Sequence, residues 1–368
     1  MRVLSVVTLV SPMGEYGGPV RVAVNQAREL RAKGHDVVLA GGTRGFPTPP
    51  RTVEGVPAEL FPARQVVPGS GFAGLAAPSL WRWLRRHVRE FDLVHVHAAR
   101  DLITLPAAAI ARSMRVPFVL QTHGMIDPSG RLLARPLDAL LTRRLLRAAR
   151  SVFYLTEAER AGLRAVAGPD LPLVELPNGV PAAEPAIGSP TGREVLYLAR
   201  LAGRKRPRMF VAAARNLAAE FPDTRFTLVG PDEGEGEGVR ADIAAAGLPG
   251  QLEWSGPLPP EQTLERLRRA TVYVLPAVSE PYPMSVLEAM SVGLPVVVTD
   301  SCGLAGLISR SGAGLVIGES QAELDEAVRR LLADPAEAAG MGANGRQLVR
   351  TELAMAAIAD RLLTYYRR

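Results

Sequence analysis

Along the chain, short apolar runs alternate with longer stretches whose apolar residues recur every three or four positions. The short runs predict strands at 2–10, 36–40, 93–97, 117–121, 152–155 and 173–176, with another around 58–61. The longer stretches predict helices at 20–33, 78–91, 104–113, 131–150 and 157–167. In the first of these, Val20, Val24, Ala27 and Leu30 share one face. Pro177-Asn178-Gly179-Val180-Pro181 is a turn signal, and 181–192 is rich in Pro, Gly, Ala and Ser without periodicity, which makes it a linker. The alternation then restarts, with strands at 195–199, 225–229, 251–255, 272–276 and 296–299. Helices are predicted at 208–220, 239–246, 260–270, 285–292, 321–333, 337–350 and 351–365. The expectation is an α/β protein of two parallel-sheet domains, 1–180 and 193–350. The last stretch, 351–368, forms a helix long enough to return to the first domain.

Composition narrows this picture. The 368 residues are 47% hydrophobic and 22% charged, which suits two globular domains. No apolar run approaches the ~18 residues of a membrane-spanning helix. Met1 to Val7 leads directly into a strand with no cleavage signal, so a cytoplasmic protein is expected. A single cysteine, Cys302, excludes an internal disulfide and argues against a cysteine-built metal site. Residues 1–185 carry 23 Lys and Arg against 15 Asp and Glu, whereas 186–368 carry 20 against 22. Only Lys33 and Lys205 are lysine, so each stands out against the arginine bias.

Candidate chemistry concentrates at strand ends. Ser279-Glu280-Pro281-Tyr282-Pro283-Met284-Ser285 joins a buried strand to a helix, and Glu288 follows in that helix. Amides at a helix N-terminus attract anions, so carboxylates beside them suggest a ligand with both hydroxyls and phosphates. Ser285-x-x-Glu288 also fits a capping box, a purely structural role. Arg200-Leu201-Ala202-Gly203-Arg204-Lys205-Arg206 places four cations between a strand and a helix, an anion site or a solvated basic loop. A glycine-containing loop with Gly17 and Gly18 follows the first strand. His95 and His97 share a strand face without a third metal ligand at sensible spacing, and His123-Gly124 leaves another strand end. Asp232 to Gly238 alternates acid and glycine but lacks the other positions of a calcium loop, so it is expected to be mobile surface.

Taken together, Arg200 with Lys205, Glu280 with Glu288, Gly293-Leu294-Pro295, His123-Gly124, Gly17-Gly18 and Pro177-Asn178-Gly179-Val180 resemble retaining glycosyltransferases of the GT-B fold, family 4. The resemblance runs over nearly the whole chain. It implies two facing Rossmann-like domains, a nucleotide-sugar donor on the second and an acceptor on the first. It further implies that Arg200 and Lys205 hold the donor diphosphate, Glu280 the sugar hydroxyls and Glu288 the ribose. Tyr282, Met284 and Ser285 would offer main-chain contacts, Gly256 to Leu258 would lie beside the base, Gly18 would admit the diphosphate, and His123 would lie near the transferred sugar. UDP is the expected nucleotide. With no Asp-x-Asp in the chain, the cations take the place of a metal, and neither a metal nor another cofactor is expected. Nucleic acid is not an expected partner.

The chain departs from the pattern at Pro281 and Pro283, which remove two N–H donors, and at Arg206, where glycine is usual. Arg206 adds charge without an obvious conflict. The competing readings are a non-hydrolysing sugar-nucleotide epimerase of the same fold and a transferase acting on a soluble secondary metabolite. A lipid-linked saccharide is the preferred acceptor. The basic helices at 78–91 and 131–150, the first with Trp81 and Trp83, suggest peripheral attachment to an anionic membrane surface.

Overall fold

The computed structural model describes residues 1–12, 17–129, 134–188 and 192–367. The chain divides into two compact units, Met1–Gly179 with Met355–Arg368, and Val180–Ala354.

The first unit contains β1 (Arg2–Val10), β2 (Asp36–Thr43), β3 (Thr52–Val53), β4 (Val56–Pro62), β5 (Arg64–Gln65), β6 (Leu75–Ala76), β7 (Leu93–His97), β8 (Phe118–Gln121), β9 (Val152–Tyr154) and β10 (Leu173–Glu175). Its main sheet has the order β10-β9-β8-β7-β1-β2-β4-β3 and is parallel apart from β3, while β5 and β6 form a small ribbon. Both faces of this sheet are buried, so its strands carry apolar residues throughout. Leu4 and Val6 of β1 join the core under helices Pro78–His87 and Thr104–Ser113. Their neighbours Val3 and Val7 join the opposite core, under helix Gly17–Ala32 and the C-terminal helix Met355–Arg367. That C-terminal helix contributes Ile358, Leu362 and Tyr366.

The second unit contains β11 (Arg193–Leu198), β12 (Thr224–Val229), β13 (Leu252–Trp254), β14 (Val272–Leu275), β15 (Val296–Thr299) and β16 (Gly314–Ile317), in the order β13-β12-β11-β14-β15-β16. All are parallel. Helix Ala305–Ser311 and β16 escape the sequence pattern because glycines interrupt it. Gly314 is required: a Cβ there would lie 2.0 Å from the Val296 carbonyl oxygen.

Three local expectations change. Trp81 and Trp83 do not face outward. Trp81 donates its indole N–H to the Leu102 carbonyl at 3.2 Å, and the Trp83 ring packs 5.9 Å from Phe61. A large ring gains more from the core than from water once its N–H is paired. The acid-glycine stretch is also ordered at its end. Asp232 accepts the N–H groups of Gly234 and Gly236 at 2.9 and 2.8 Å, and a helix begins at Gly236. The basic segment is helical at Ala134–Leu137 and Arg143–Ala148 with a π-helical stretch, Asp138–Thr142, between them; Arg131 lies outside the described residues. Asp138 serves a different strand end, pairing with buried Arg100 at 2.8 Å.

Candidate active site

In the second unit the strand order reverses direction between β11 and β14, because β12 and β13 lie on one side of β11 and β14 to β16 on the other. Connections leaving two such strands diverge and open a crevice at their carboxyl ends. Lys205 follows β11 and Glu280 follows β14. Their side chains meet there, Lys205 Nζ lying 2.7 Å from the Glu280 carboxylate, and Arg204 pairs with the same carboxylate. Only 7% of Lys205 and 8% of Glu280 is exposed. Burial pulls the Lys205 ammonium below the ordinary lysine value, and Glu280 opposes that pull.

Backbone contacts fix this meeting. Gly203–Lys205 forms a 3₁₀ turn, and the Arg204 carbonyl accepts the Val278 N–H at 2.9 Å, tying the two loops together. The Glu280 carbonyl accepts the Gly303 N–H at 2.8 Å. A Cβ at Gly303 would lie 1.8 Å from the Pro281 carbonyl oxygen, so only glycine permits this approach. Arg206 has φ +52°, a left-handed conformation that explains why glycine is usual there. The substitution therefore carries a backbone conflict as well as a charge. Ser279 (φ +50°) and His123 (φ +51°) are similar, so three of the five such non-glycine residues among those described sit beside candidate groups.

Helix Met284–Val292 starts beside this pair with Pro283 in the cap position and no side-chain cap. Ser285 lies inside the first turn, with its hydroxyl 2.7 Å from the Tyr273 hydroxyl. The capping-box reading of Ser285 and Glu288 therefore fails, because a box needs its serine at the cap. Met284 and Ser285 supply first-turn amides, which helix geometry leaves without intrahelical acceptors. Glu288 is buried on the same helix, while Tyr282 and Met284 pack partly against the core. Arg200 is drawn to Glu233 instead of to Glu280. Gly256 (φ +79°) and Leu258 follow β13, at the same sheet edge but two strands away from β11.

In the first unit His123 leaves the end of β8, and Gly124 (φ +72°) completes the turn. Glu159 clamps this turn: its carboxylate accepts the Gly124 N–H at 2.6 Å, the Leu155 N–H at 2.7 Å and the Thr122 hydroxyl. The ring of His123 meets His97, Nε2 to Nδ1, at 2.9 Å. Burial holds His123 neutral, its pKa down at about 3. Gly17 and Gly18 open helix Gly17–Ala32, and among the described residues nothing outside its own helix backbone and chain neighbours would lie within 4 Å of a Cβ at Gly18. Packing against the described residues does not demand glycine at that position.

Sequence reading missed Arg204 as a partner of Glu280, Gly303 as the residue that lets the loop close, and His97 and Glu159 as supports of His123. His97 was visible only as one of two histidines on a strand face. Glu159 carried one signal, a glutamate three residues after Thr156 at a helix start, where Thr156 does cap the helix.

The family profile described as Glycosyl transferases group 1 matches residues 184–348, and that described as Glycosyl transferase 4-like domain matches residues 17–179. The chain belongs to the group 1 glycosyltransferases. Among similar members, the 2-deoxystreptamine glucosyltransferase of Streptomyces kanamyceticus is 27% identical over 300 residues, covering 75% of this chain and 77% of that protein. The D-inositol 3-phosphate glycosyltransferase of Acidothermus cellulolyticus is 26% identical over 374 residues, covering 91% and 83%. The crystal structure of Anabaena Alr3699/HepE in complex with UDP and glucose superposes with a TM-score of 0.79 at 17% identity, over 99% of this chain and 98% of that one. This glycosyltransferase thus has the GT-B class of fold, built from two Rossmann-like units. Among its described residues no cluster of three His, Cys, Asp or Glu side chains could hold a metal ion, and no helix is long and apolar enough to cross a membrane.

Proposed function

We propose that this glycosyltransferase moves a sugar from a UDP-sugar to an acceptor hydroxyl with retention of configuration. The observation that carries this reading is the buried Lys205–Glu280 pair at the strand-order reversal, beside the N-terminus of helix Met284–Val292. As the anomeric carbon–oxygen bond breaks, its electron pair passes to the leaving phosphate oxygen and positive charge develops on the sugar. Arg200, Arg204 and Lys205 stabilise the first charge; one fixed donor at such a site is worth roughly 3–4 kcal/mol. Glu280 orients the sugar hydroxyls, and Glu288 holds the ribose. The acceptor oxygen bonds to the anomeric carbon on the face that the leaving group vacates, and its proton goes to the leaving phosphate oxygen. No metal is needed for this charge balance. The turn at His123 is assigned to a hydroxyl of the transferred sugar.

A screen of nucleotide sugars, reading released nucleotide without an acceptor, tests the donor. Release from a UDP-sugar is expected; conversion of the sugar with no release supports the epimerase, and neither outcome from any donor refutes both readings.

For the acceptor, we propose a lipid-linked saccharide at an anionic membrane. Arg143, Arg144 and Arg147 are exposed beside Leu140, which is 62% exposed. Each basic residue near such a surface is worth about 1 kcal/mol. Co-sedimentation with anionic vesicles is expected at low salt, and is expected to be lost at high salt and when the three arginines become Glu. The inward packing of Trp81 and Trp83 favours a second reading, a soluble polyol acceptor, which failure to bind vesicles at low salt would select. The acceptors named for the two Streptomyces and Acidothermus relatives agree with that second reading.

A further inference from the structure

Behind His123 lies a column of aromatic side chains that the proposed mechanism does not use. The Tyr366 hydroxyl of the C-terminal helix is 2.6 Å from His95 Nδ1. The His95 ring stacks on His97, centroids 4.5 Å apart and planes 15° from parallel. His97 Nδ1 meets His123 Nε2 at 2.9 Å. His95, His97 and Tyr366 are each at least 98% buried, at 2%, 1% and 1% exposure. The link between His95 and His97 is a stack and not a hydrogen bond, so the column does not conduct a proton from end to end. It fixes rings in place.

The consequence falls on His123. A neutral imidazole has one N–H and one bare nitrogen, and the hydrogen bond made by one nitrogen decides what the other offers. Because Nε2 is turned to His97, Nδ1 is the nitrogen that remains for a ligand. We propose that His97 is a positioning residue that fixes the ring of His123 and selects Nδ1 as its substrate-facing nitrogen, with Tyr366 and His95 bracing His97 from behind. This rests on the assignment of His123 to the transferred sugar. The sharing of a hydrogen bond between two uncharged rings agrees with burial holding His97 well below the usual histidine value. A ring fixed before the sugar arrives contributes to orientation at the reacting centre, where small displacements are costly.

The test compares His97→Phe, which keeps a stacked ring but removes the nitrogen, with His97→Asn, whose amide nitrogen is as many bonds from Cβ as Nδ1. H97F is expected to lower kcat by roughly 10- to 100-fold with the KM for nucleotide sugar within about threefold. H97N is expected to recover activity to within about threefold of wild type. In nitrogen-15 spectra of the full chain, His123 is expected to show one fixed tautomer in wild type and an averaged mixture in H97F. If H97F does not fold, Tyr366→Phe carries the same test at smaller amplitude, and unchanged His123 signals in Y366F then overturn the proposal. An impaired His123→Ala alongside a fully active H97F overturns this inference alone. A fully active H123A overturns the assignment of His123 and this inference with it.

Discussion

The polar groups of the two units solve the same problem in opposite ways. Beneath the second unit's crevice, buried polarity is ionic: buried Lys205 and the more exposed Arg204 share the buried Glu280 carboxylate, while Arg200 and Glu233 pair nearer the surface. Behind the first unit's turn, apart from the Glu159 carboxylate that clamps its backbone, the side chains packed around His123 are uncharged. His95, His97 and His123 stack as uncharged rings, and Gln26, Gln121 and Asn178 form a buried amide chain with contacts of 3.0 and 3.1 Å. A buried ion pair is expensive to desolvate and leaves an uncompensated charge when one partner is removed. Such a pair is worth keeping where an incoming anion exchanges for the carboxylate. A neutral array has no charge to trade and suits the positioning of hydroxyls. The second unit's crevice is thus built around charge, and the surroundings of His123 around uncharged hydrogen-bonding rings and amides.

The largest expected effect breaks the ionic side. Lys205→Ala should lower turnover by about 100-fold or more, since the leaving phosphate loses a fixed cation. Unpairing Glu280 also destabilises the fold, so activity is read at a temperature where the variant's melting curve shows it fully folded. EDTA should leave wild-type activity intact. A strict need for magnesium or manganese would show that the cations do not replace a metal.

A smaller effect separates the two glutamates. Glu288→Ala should weaken binding of free UDP by roughly tenfold or more, the worth of hydrogen bonds to a charged group. Glu280→Gln should leave that affinity unchanged or tighter, because Lys205 is released from its carboxylate, while turnover falls. Calorimetry with UDP and steady-state kinetics distinguish the two. Equal UDP affinity in E288A and wild type would return Glu288 to a structural role.

The alternation of strand and helix was legible because parallel sheets covered on both faces need apolar strands, and β1, β14 and β15 announce themselves that way. β16 was not, since its Gly314 serves backbone approach and not hydrophobic pattern. The meeting of Lys205 and Glu280 was legible only as two loops at strand ends; their contact depends on strand order, which no local pattern encodes. His97 illustrates the same limit more sharply. Its neighbour His95 is two residues away on one strand face, but the partner that gives it meaning, His123, comes from the turn after the next strand. Arg206 is the reverse case. Its departure from glycine was visible, and only the φ of +52° shows the strain it entails.

The smallest expected effect sharpens the neutral side through pH. Burial, the largest cause, holds His95 at about 3, far below the 6.5 of an exposed histidine. With the folded value below the unfolded one, the stability this group contributes is fully present above pH 6.5. It is lost as pH falls toward the folded value, because the unfolded chain binds the proton first. The loss per histidine is at most about 1.4 kcal/mol per pH unit, about tenfold in the folding equilibrium. Asp101 acts in the opposite sense. Burial raises it to about 6 despite hydrogen bonds from Thr8, Ile103 and Thr104. Its folded form takes up a proton below pH 6, before the unfolded chain does, and so recovers part of the stability. Glu159, which burial also raises, acts in the same sense as Asp101, but the three lowered histidines outweigh the two carboxyls, and the first unit should therefore lose stability between pH 6.5 and 5.5. Urea unfolding at the two pH values, followed with a probe in each unit, should show the first unit's transition moving to lower urea. In His95→Phe that movement should shrink by one proton's worth. A transition in the first unit that does not move with pH would mean its histidines are accessible to protons, and the neutral array would not exist.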